Sequence, residues 1–414
     1  MIIFCEECGE QCDVTPNEDT GHHKFQCRHC AESLVIKSVD GKIENRMNAA
    51  AELGQCAGHS ASAGPLRILV VDDSRFIRRV IRDILESDPE LRIVGEAENG
   101  VEALELVSQL KPDVITLDIN MPVMDGLTTL KHIMIKSPRP TIMFSTLTKD
   151  GSEETFEALR YGAVDFLLKP SNTSSTEIEA QKKEIIEKIK IAAGVRLQSL
   201  KFLRPPKSVA GDRKEVPPEI QALIGIGAAE GGYAALLKLI PGLDPDLPAA
   251  FISLLYATPQ RLDAFANYLS QHSALQVRRV MSGEKLENGI CYLASGEEYI
   301  TFTTDCGGYQ MEVHTAPFPE RQGSINRLFF SIAEIVKGRS AGVILTGRGE
   351  DGTEGLSEIK RVGGYSLVQD PQYCLWSEMP QAAIERGQAD LVVSNDKLIQ
   401  GIKKFINNKA VDAD

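Results

Sequence analysis

Short apolar runs alternate with helical patterns from about residue 66 onward, and this rhythm predicts an α/β domain. Residues 68–71, 114–117, 141–144 and 166–168 have the length and composition of buried strands. Between them, apolar residues recur at intervals of three and four, and the clearest set is Phe76, Ile77, Val80, Ile81, Ile84 and Leu85. Such alternation is typical of a parallel sheet covered by helices on both faces.

The pattern is interrupted twice, and the interruptions predict the domain organisation. Residues 45–65 are rich in Ala, Gly and Ser without periodicity, whereas residues 204–218 are charged and contain several prolines. The helix before the second interruption, at about 177–193, is predicted to run on toward Phe202. The resulting segments are a small module at 1–43, a linker at 44–65, an α/β domain at 66–195, a linker at 196–218 and a second α/β domain at 219–407.

Composition and charge narrow the classes of protein. The chain has 414 residues and 43% hydrophobic content, enough for several buried cores. It contains no apolar run near the roughly 18 residues that a membrane span needs, and its N-terminus lacks the features of a signal peptide. We therefore predict a cytoplasmic protein. The net charge of −13 opposes nonspecific binding to nucleic acid or anionic lipid, so the predicted partners are proteins.

Two CxxC pairs predict a metal site in the N-terminal module. Cys5 and Cys8 form the first pair, and Cys27 and Cys30 form the second after eighteen residues. This spacing is typical of a four-cysteine zinc ribbon, in which Zn²⁺ provides most of the folding free energy. Disulfides or a redox dithiol are the alternatives, and Cys12, His22, His23 and His29 are alternate ligands. Acidic residues outnumber basic ones eight to four in 1–43, which favours a structural or protein-docking role over nucleic-acid binding.

Polar side chains follow four of the predicted strands of the first α/β domain. Asp72 and Asp73 come after the first strand, and Asp118 ends a later one. Ser145 and Lys169 follow two further strands. Open α/β sheets place their ligand sites at the carboxyl ends of strands, where three carboxylates would suit Mg²⁺ beside a phosphoryl group. The hydroxyl and the ammonium would then contact phosphoryl oxygens.

This pattern, over residues 65–181, resembles the receiver domain of two-component response regulators, which has a flavodoxin-like, doubly wound parallel sheet. The resemblance implies phosphorylation of Asp118 by a sensor histidine kinase. It also implies Mg²⁺ binding by Asp72, Asp73, Asp118 and the backbone carbonyl of Asn120. Finally, it implies that Ser145 is the switch hydroxyl, Phe166 the switch aromatic residue and Lys169 the phosphate-binding lysine.

The second α/β domain opens with a predicted strand, the glycine-rich turn 227–232 and a helix. Three further stretches, 342–355, 368–370 and 379–383, complete a pattern that resembles the chemotaxis receptor methylesterases of the CheB family. The similarity spans about 220–405 and implies an α/β methylesterase fold with a mostly parallel sheet. That family hydrolyses glutamate methyl esters on receptor cytoplasmic helices with a Ser-His-Asp triad.

The chain departs from this triad at two of its three positions. Ala229 stands where the nucleophilic serine belongs, and alignment on Pro259 and residues 263–266 puts Tyr256 at the position of the histidine. Of the triad only Asp351 remains, and it is predicted to be a loop or helix-start carboxylate. The chain also departs from the family pattern at four other positions, which hold Glu230, Arg348, Glu350 and Tyr299.

A methyl group cannot attack a carbonyl, and a phenol with an ordinary pKa near 10 is a poor base at neutral pH. We therefore predict a phosphorylation-controlled protein whose second domain binds receptor helices or another chemoreceptor-array partner without cleaving them. The alternative is an active methylesterase or other hydrolase with relocated groups, namely Tyr256, Ser253, Glu230 or Asp351. A DNA-binding output has no helix-turn-helix or basic patch to support it.

Overall fold

A computed structural model describes residues 2–4, 11–13, 22–26, 33–37, 64–145, 153–170, 175–197, 219–305, 308–316 and 323–411. These residues form two compact units, one within 1–146 and 161–201 and the other within 147–160 and 202–414. Among them, no helix is long and apolar enough to cross a membrane.

The described part of the N-terminal module consists of two short antiparallel strand pairs. β1 (Ile2–Phe4) pairs with β2 (Gln11–Asp13), and β3 (His22–Gln26) pairs with β4 (Ser33–Lys37). The four predicted zinc ligands, Cys5, Cys8, Cys27 and Cys30, lie outside the described residues. Zinc binding therefore stays a prediction.

The first unit contains a five-stranded parallel sheet in the order β6-β5-β7-β8-β9. The sheet confirms the predicted flavodoxin-like fold, because the first strand lies between the second and the third. The strands are β5 (Leu66–Val71), β6 (Leu91–Ala97), β7 (Val114–Asp118), β8 (Thr141–Ser145) and β9 (Asp165–Leu168). The helices of this unit are α1 (Arg75–Leu85), α2 (Gly100–Leu110), α3 (Gly126–Lys136) and α5 (Ser175–Gly194). The helix α4 (Glu153–Arg160) belongs to the second unit.

Side-chain caps fix where three of these helices begin. Ser74, Asn99 and Asp125 each accept a hydrogen bond from a backbone N–H in the first turn of the helix that follows. Two predictions about the helices were wrong. Phe76 is 60% exposed rather than on the buried face of α1. The last helix, α5, ends at Gly194, and residues 195–197 are not helical.

The second unit contains a seven-stranded sheet in the order β12-β13-β11-β10-β16-β17-β18, and every pair in it is parallel. Its strands are β10 (Ala222–Ala228), β11 (Ala249–Leu255), β12 (Gln276–Arg279), β13 (Ile290–Ser295), β16 (Ser340–Ile344), β17 (Tyr365–Gln369) and β18 (Leu391–Val393). An antiparallel hairpin, β14 (Glu298–Asp305) with β15 (Gly308–Thr315), is separate from the sheet. The predicted, mostly parallel α/β fold is confirmed.

Six helices of the second unit follow these strands in chain order. They are α6 (Gly232–Leu239), α7 (Pro259–His272), α8 (Ser324–Val336), α9 (Thr353–Arg361), α10 (Glu378–Glu385) and α11 (Asn395–Val411). The unit also includes α4, whose buried Phe156 packs on Tyr233, Phe265 and Tyr268 with ring centroids 5.0–5.6 Å apart. Each fully buried aromatic or aliphatic side chain contributes about 1.5–3 kcal/mol to folding.

The first turn of α8 lies very close to β10. A Cβ atom on Gly227 would be 2.4 Å from the Cγ2 atom of Ile325, so only glycine permits this approach. Four residues of α8, Ile325, Leu328, Phe329 and Ile332, are fully buried against the sheet. The N-terminus of α8 is therefore held near the carboxyl end of β10.

Candidate functional site

The carboxylates predicted in the first unit meet at the carboxyl ends of two adjacent strands. Val71, the last residue of β5, pairs with Leu117 on β7, so Asp72 and Asp118 follow neighbouring positions. Oxygen atoms of Asp72, Asp73 and Asp118 lie within 4.8 Å of one another. Hard oxygen ligands in this number and spacing fit Mg²⁺, which takes few protein ligands and keeps several waters. No other group of this kind occurs in the part of the chain that the structure describes.

Lys169 joins two of these carboxylates. Its Nζ atom lies 2.7 Å from Asp72 Oδ2 and 2.8 Å from Asp118 Oδ2. Its backbone N–H donates to the carbonyl of Ser145 at 2.9 Å, which brings the end of β8 to the same place. Burial disfavours the charged ammonium, but the hydrogen bonds and charges of Asp118 and Asp72 outweigh burial and raise the pKa of Lys169. The lysine therefore stays protonated at neutral pH.

Two of the other predicted residues, Ser145 and Asn120, lie at the same edge of the sheet, whereas Phe166 lies two residues before the end of β9. Ser145 is the last residue of β8 and is buried, and Phe166 is half-buried on β9. Asn120 is exposed two residues after Asp118, and its backbone N–H interacts with the Asp118 carboxylate. The structure therefore brings together Asp72, Asp73, Asp118, Ser145 and Lys169, which the sequence placed at separate strand ends.

The loop after Asp118 is tightly built. A Cβ atom on Gly126 would lie 2.0 Å from the carbonyl oxygen of Asp118, so glycine alone allows α3 to begin there. Val123 has a φ of 69°, and the N–H of Met124 donates to the carbonyl of Pro122 around it at 2.8 Å. This is a strained γ-turn for a β-branched residue, and such strain is common beside functional sites.

A buried arginine that was not predicted from the sequence supports the same loop. Arg78 on α1 is 6% exposed, and its Nη1 atom donates to the carbonyls of Asp72 at 2.8 Å and Asp73 at 3.3 Å. Its Nη2 atom donates to Glu98 at 2.5 Å. Arg78 lies three residues before Ile81, on the face of α1 that points inward. The sequence does contain a signal for this arginine, because helical periodicity places a charged residue on the buried face of α1.

Asp118 is expected to destabilise the first unit at neutral pH in the absence of Mg²⁺. Burial raises the pKa of Asp118, Lys169 opposes that rise, and the charge of Asp72 adds to it. A raised pKa in the folded state means that the stabilising contribution of Asp118 is present below its unfolded pKa of about 3.9 and is lost as pH rises. Asp118→Asn should therefore increase the free energy of unfolding by about 0.5–2 kcal/mol near pH 7 and by less near pH 4. Urea unfolding in chelator, followed by circular dichroism, measures this difference. An equal effect at both pH values contradicts it.

In the second unit, the three residues predicted at the triad positions lie at the carboxyl ends of three adjacent strands. Ala229 follows β10, Tyr256 follows β11 and Asp351 comes after β16, and β10 pairs with both of the other strands. The chain leaves β10 toward one side of the sheet and returns at β16 on the other. This is the topological switch point, where open α/β sheets place their ligand sites.

Tyr256 and Asp351 contact each other directly. The Tyr256 hydroxyl donates to Asp351 Oδ2 at 2.6 Å, and Asp351 also accepts from the backbone N–H groups of Ile325 at 2.9 Å, Asn326 at 3.0 Å and Gly352 at 2.9 Å. Burial, together with the charge of Asp351, raises the pKa of Tyr256 above its ordinary value. The phenol therefore stays protonated and acts as a hydrogen-bond donor. Asp351 therefore holds the first turn of α8, a helix distant in the sequence, and makes no side-chain cap to α9, which begins two residues after it.

Removing the Tyr256 hydroxyl is expected to cost stability. Tyr256→Phe leaves the buried Asp351 with one donor fewer and should lower the free energy of unfolding by about 1–3 kcal/mol. The fluorescence of Trp376, the single tryptophan of the chain, reports the unfolding of this unit. Tyr365→Phe, which retains the ring that stacks on Phe405, serves as the control and should change stability by less than about 0.5 kcal/mol. Equal effects of the two variants contradict the expectation.

The loop after β16 faces the turn that carries Ala229. The backbone N–H of Arg348 donates to Glu230 Oε2 at 3.1 Å, and the N–H of Gly349 donates to Glu378 Oε2 at 2.7 Å. The Arg348 guanidinium lies 3.5 Å from the ring centroid of Trp376, which is buried. Neither Trp376 nor Glu378 was predicted from the sequence, although the position of the single tryptophan next to a motif could have indicated this site.

One residue of the alternative, relocated catalytic site lies inside the sheet. Ser253 is fully buried in the middle of β11, between Ile226 and Leu293 on the neighbouring strands. A hydroxyl inside the sheet is closed to a substrate, so its prediction as a relocated catalytic group was wrong. Tyr299 stacks on His314 across the hairpin, with ring centroids 4.8 Å apart.

Comparison with known proteins shows similarity over both units. A family profile described as the response regulator receiver domain matches residues 68–180, and one described as CheB methylesterase matches residues 224–402. The chain is 38% identical over 349 residues to a protein-glutamate methylesterase/protein-glutamine glutaminase from Pyrococcus horikoshii, and the match covers 82% of this chain and 94% of that protein. A protein of the same name from Caldanaerobacter subterraneus subsp. tengcongensis is 36% identical, with 83% and 98% covered.

Solved structures from Thermotoga maritima are also similar. The CheB methylesterase catalytic domain is 28% identical with a TM-score of 0.43, and the match covers 45% of this chain and 97% of that domain. The response regulator domain of CheB is 48% identical with a TM-score of 0.30, and the match covers 32% and 98%.

Proposed function

The chain belongs to the family of chemotaxis response regulators that carry a CheB methylesterase domain, and we propose that its own methylesterase domain binds partners without hydrolysing them. The observation that carries this proposal is the pairing of the Tyr256 hydroxyl with Asp351 beside Ala229. A protonated phenol and a methyl group occupy the positions of base and nucleophile. The relatives are named as methylesterases, so under this proposal the chain shares their fold but lacks hydrolytic activity.

We propose that phosphorylation of Asp118 controls this output. A receiver domain implies a histidine kinase as phosphodonor and Mg²⁺ as cofactor. Asp72, Asp73, Asp118 and the carbonyl of Asn120 would hold the Mg²⁺, which would neutralise charge on the phosphoryl group. The carboxylate of Asp118 would attack phosphorus and form an acyl phosphate as the donor group leaves. Lys169, already 2.8 Å from Asp118, would pair with the new phosphoryl oxygens, and Ser145 would donate to them. Phe166 would respond as the switch aromatic residue.

The proposed partners are chemoreceptor cytoplasmic helices or other proteins of the array, in the cytoplasm. The relatives are named for action on protein glutamate, so a domain with the same fold is expected to recognise glutamate side chains of a partner protein. A purified receptor reconstituted in vesicles tests this proposal by co-sedimentation. Protein treated with acetyl phosphate should differ at least severalfold in the bound fraction from untreated protein, and Asp118→Asn should remove the difference. Binding that is absent in both states rejects the proposed partner.

We also propose the domain bounds 66–195 and 219–407, which enclose the matched residues. Hydrolysis by relocated groups remains the alternative function. It would need Tyr256, Glu230 or Asp351 to replace a nucleophile, and the contacts of Tyr256 and Asp351 with each other and with α8 oppose this.

We propose in addition that Cys5, Cys8, Cys27 and Cys30 bind one Zn²⁺ per chain. The paired CxxC spacing supports this site. Protein purified without added zinc should contain about one equivalent of the metal, and Cys5→Ser with Cys27→Ser should reduce it to near zero. Cys56→Ser is the matched control, because Cys56 lies in the predicted linker. A zinc content near zero in the protein as purified, with the thiols of these four cysteines freely titratable, contradicts the site.

A further inference from the structure

The loop after β16 already binds carboxylates. Its two backbone N–H groups, those of Arg348 and Gly349, donate to Glu230 at 3.1 Å and to Glu378 at 2.7 Å. The two carboxylates come from different elements, the turn after β10 and the start of α10. The loop therefore presents its N–H groups outward, as an anion-binding backbone does. Both glutamates are exposed, so either could turn into solvent at little cost.

This loop lies directly against Ala229. The N–H of Ala229 donates to the carbonyl of Thr346 at 3.0 Å, and a Cβ atom on Gly347 would lie 2.7 Å from the Ala229 methyl group. A side chain bound over Ala229 would therefore meet the N–H of Arg348, the next residue. In the structure, that N–H group donates to the carboxylate of Glu230.

Arg348 adds positive charge at this position. Its guanidinium stacks on Trp376, 3.5 Å from the ring centroid, which holds the cation beside the loop. A hydrogen bond from an N–H group to a carboxylate is about twice as strong as one to a neutral carbonyl. The backbone donors and the guanidinium together therefore favour a free acid over its methyl ester.

We infer that this cleft binds the unesterified γ-carboxylate of a glutamate on a partner helix, and that Glu230 competes for the same N–H group. The inference rests on the proposed function, binding without cleavage, and adds the chemical state of the partner that is bound. In this assignment the domain recognises the demethylated form of the side chain whose ester the family hydrolyses. Glu230 then sets the affinity by occupying the site whenever the partner is absent.

Peptides and the single tryptophan provide the test. Three tryptophan-free peptides of one receptor methylation helix carry Glu, its methyl ester or Gln at the central position. Binding to the full-length protein is followed through the fluorescence of Trp376, because no other tryptophan contributes. We expect the Glu peptide to bind roughly tenfold more tightly than the other two. Arg348→Met should remove most of this preference.

Glu230→Gln tests the competition. The neutral amide should release the Arg348 N–H more readily and raise the affinity for the Glu peptide roughly tenfold. Glu354→Gln is the matched control, an exposed glutamate in the first turn of α9, and should leave binding unchanged. Equal affinity for all three peptides, equal behaviour of the two Gln variants, or no saturable binding by Glu230→Gln would each overturn the inference.

The same samples separate this inference from the proposed function. Methanol released from the ester peptide would overturn binding without cleavage, whatever the affinities are. Failure to discriminate among the peptides, with no methanol released, would overturn the inference alone.

Discussion

Replacing Asp118 by Asn is expected to abolish phosphorylation of the protein. An amide cannot form the acyl phosphate, and it lacks the negative charge that Asp118 would contribute beside Asp72 and Asp73 to hold Mg²⁺. Incubation with acetyl phosphate and Mg²⁺, followed by mass spectrometry of the intact protein, should show the phosphorylated form in the wild type and only background in the variant. The change in phosphorylated fraction should therefore be complete.

Asp125→Asn is the matched control for this experiment. Asp125 is an exposed carboxylate that caps α3 seven residues after Asp118, and Asn is an equally good cap. This variant should be phosphorylated as well as the wild type, and chelation of Mg²⁺ should suppress both. Modification of Asp118→Asn at the wild-type rate would show that another side chain accepts the phosphoryl group.

Much of the first unit could be predicted from its sequence, because its signals are local. Strand β7 spans the apolar run that ends in Asp118. Parallel pairing brings its carboxyl end beside that of β5, independently of how the helices pack. The support from Arg78 could not be predicted in this way. Its contacts with Asp72 and Glu98 depend on how α1 lies against β6, and a position in the sequence does not reveal this packing.

The second unit shows where sequence reasoning stops. The resemblance to the CheB family pointed to Ala229, Tyr256 and Asp351, and each of them follows a strand of the sheet. The acceptor role of Asp351 toward Ile325 and Asn326 depends on the close approach of α8 to Gly227, a long-range packing contact. The carboxylates of Glu230 and Glu378 likewise reach their N–H donors only because three loops converge.

The unmodified protein is expected to release no methanol from a methylated receptor above a no-enzyme control. In serine hydrolases, loss of the nucleophile alone lowers turnover about a millionfold, and the remaining activity comes from binding and the oxyanion hole. Tyr256, at the predicted position of the base, is also unsuited to accept a proton, because its pKa is raised and its hydroxyl donates to Asp351. Methanol production that is lost in Asp351→Ala would establish a working relocated site and refute this expectation.

Restoring the triad tests the same explanation in the opposite direction. Ala229→Ser or Tyr256→His alone should return little activity, since triad members act as a unit. The double variant should recover more, because Asp351 is held by the N–H groups of Ile325 and Asn326 independently of residue 256 and is already placed to orient an imidazole. Glu230 follows residue 229 and accepts from the N–H of Arg348, so its negative charge would oppose the oxyanion that develops on a substrate there. Adding Glu230→Gln to the double variant should therefore raise methanol release further, by roughly ten- to a thousandfold, whereas adding Glu354→Gln should not.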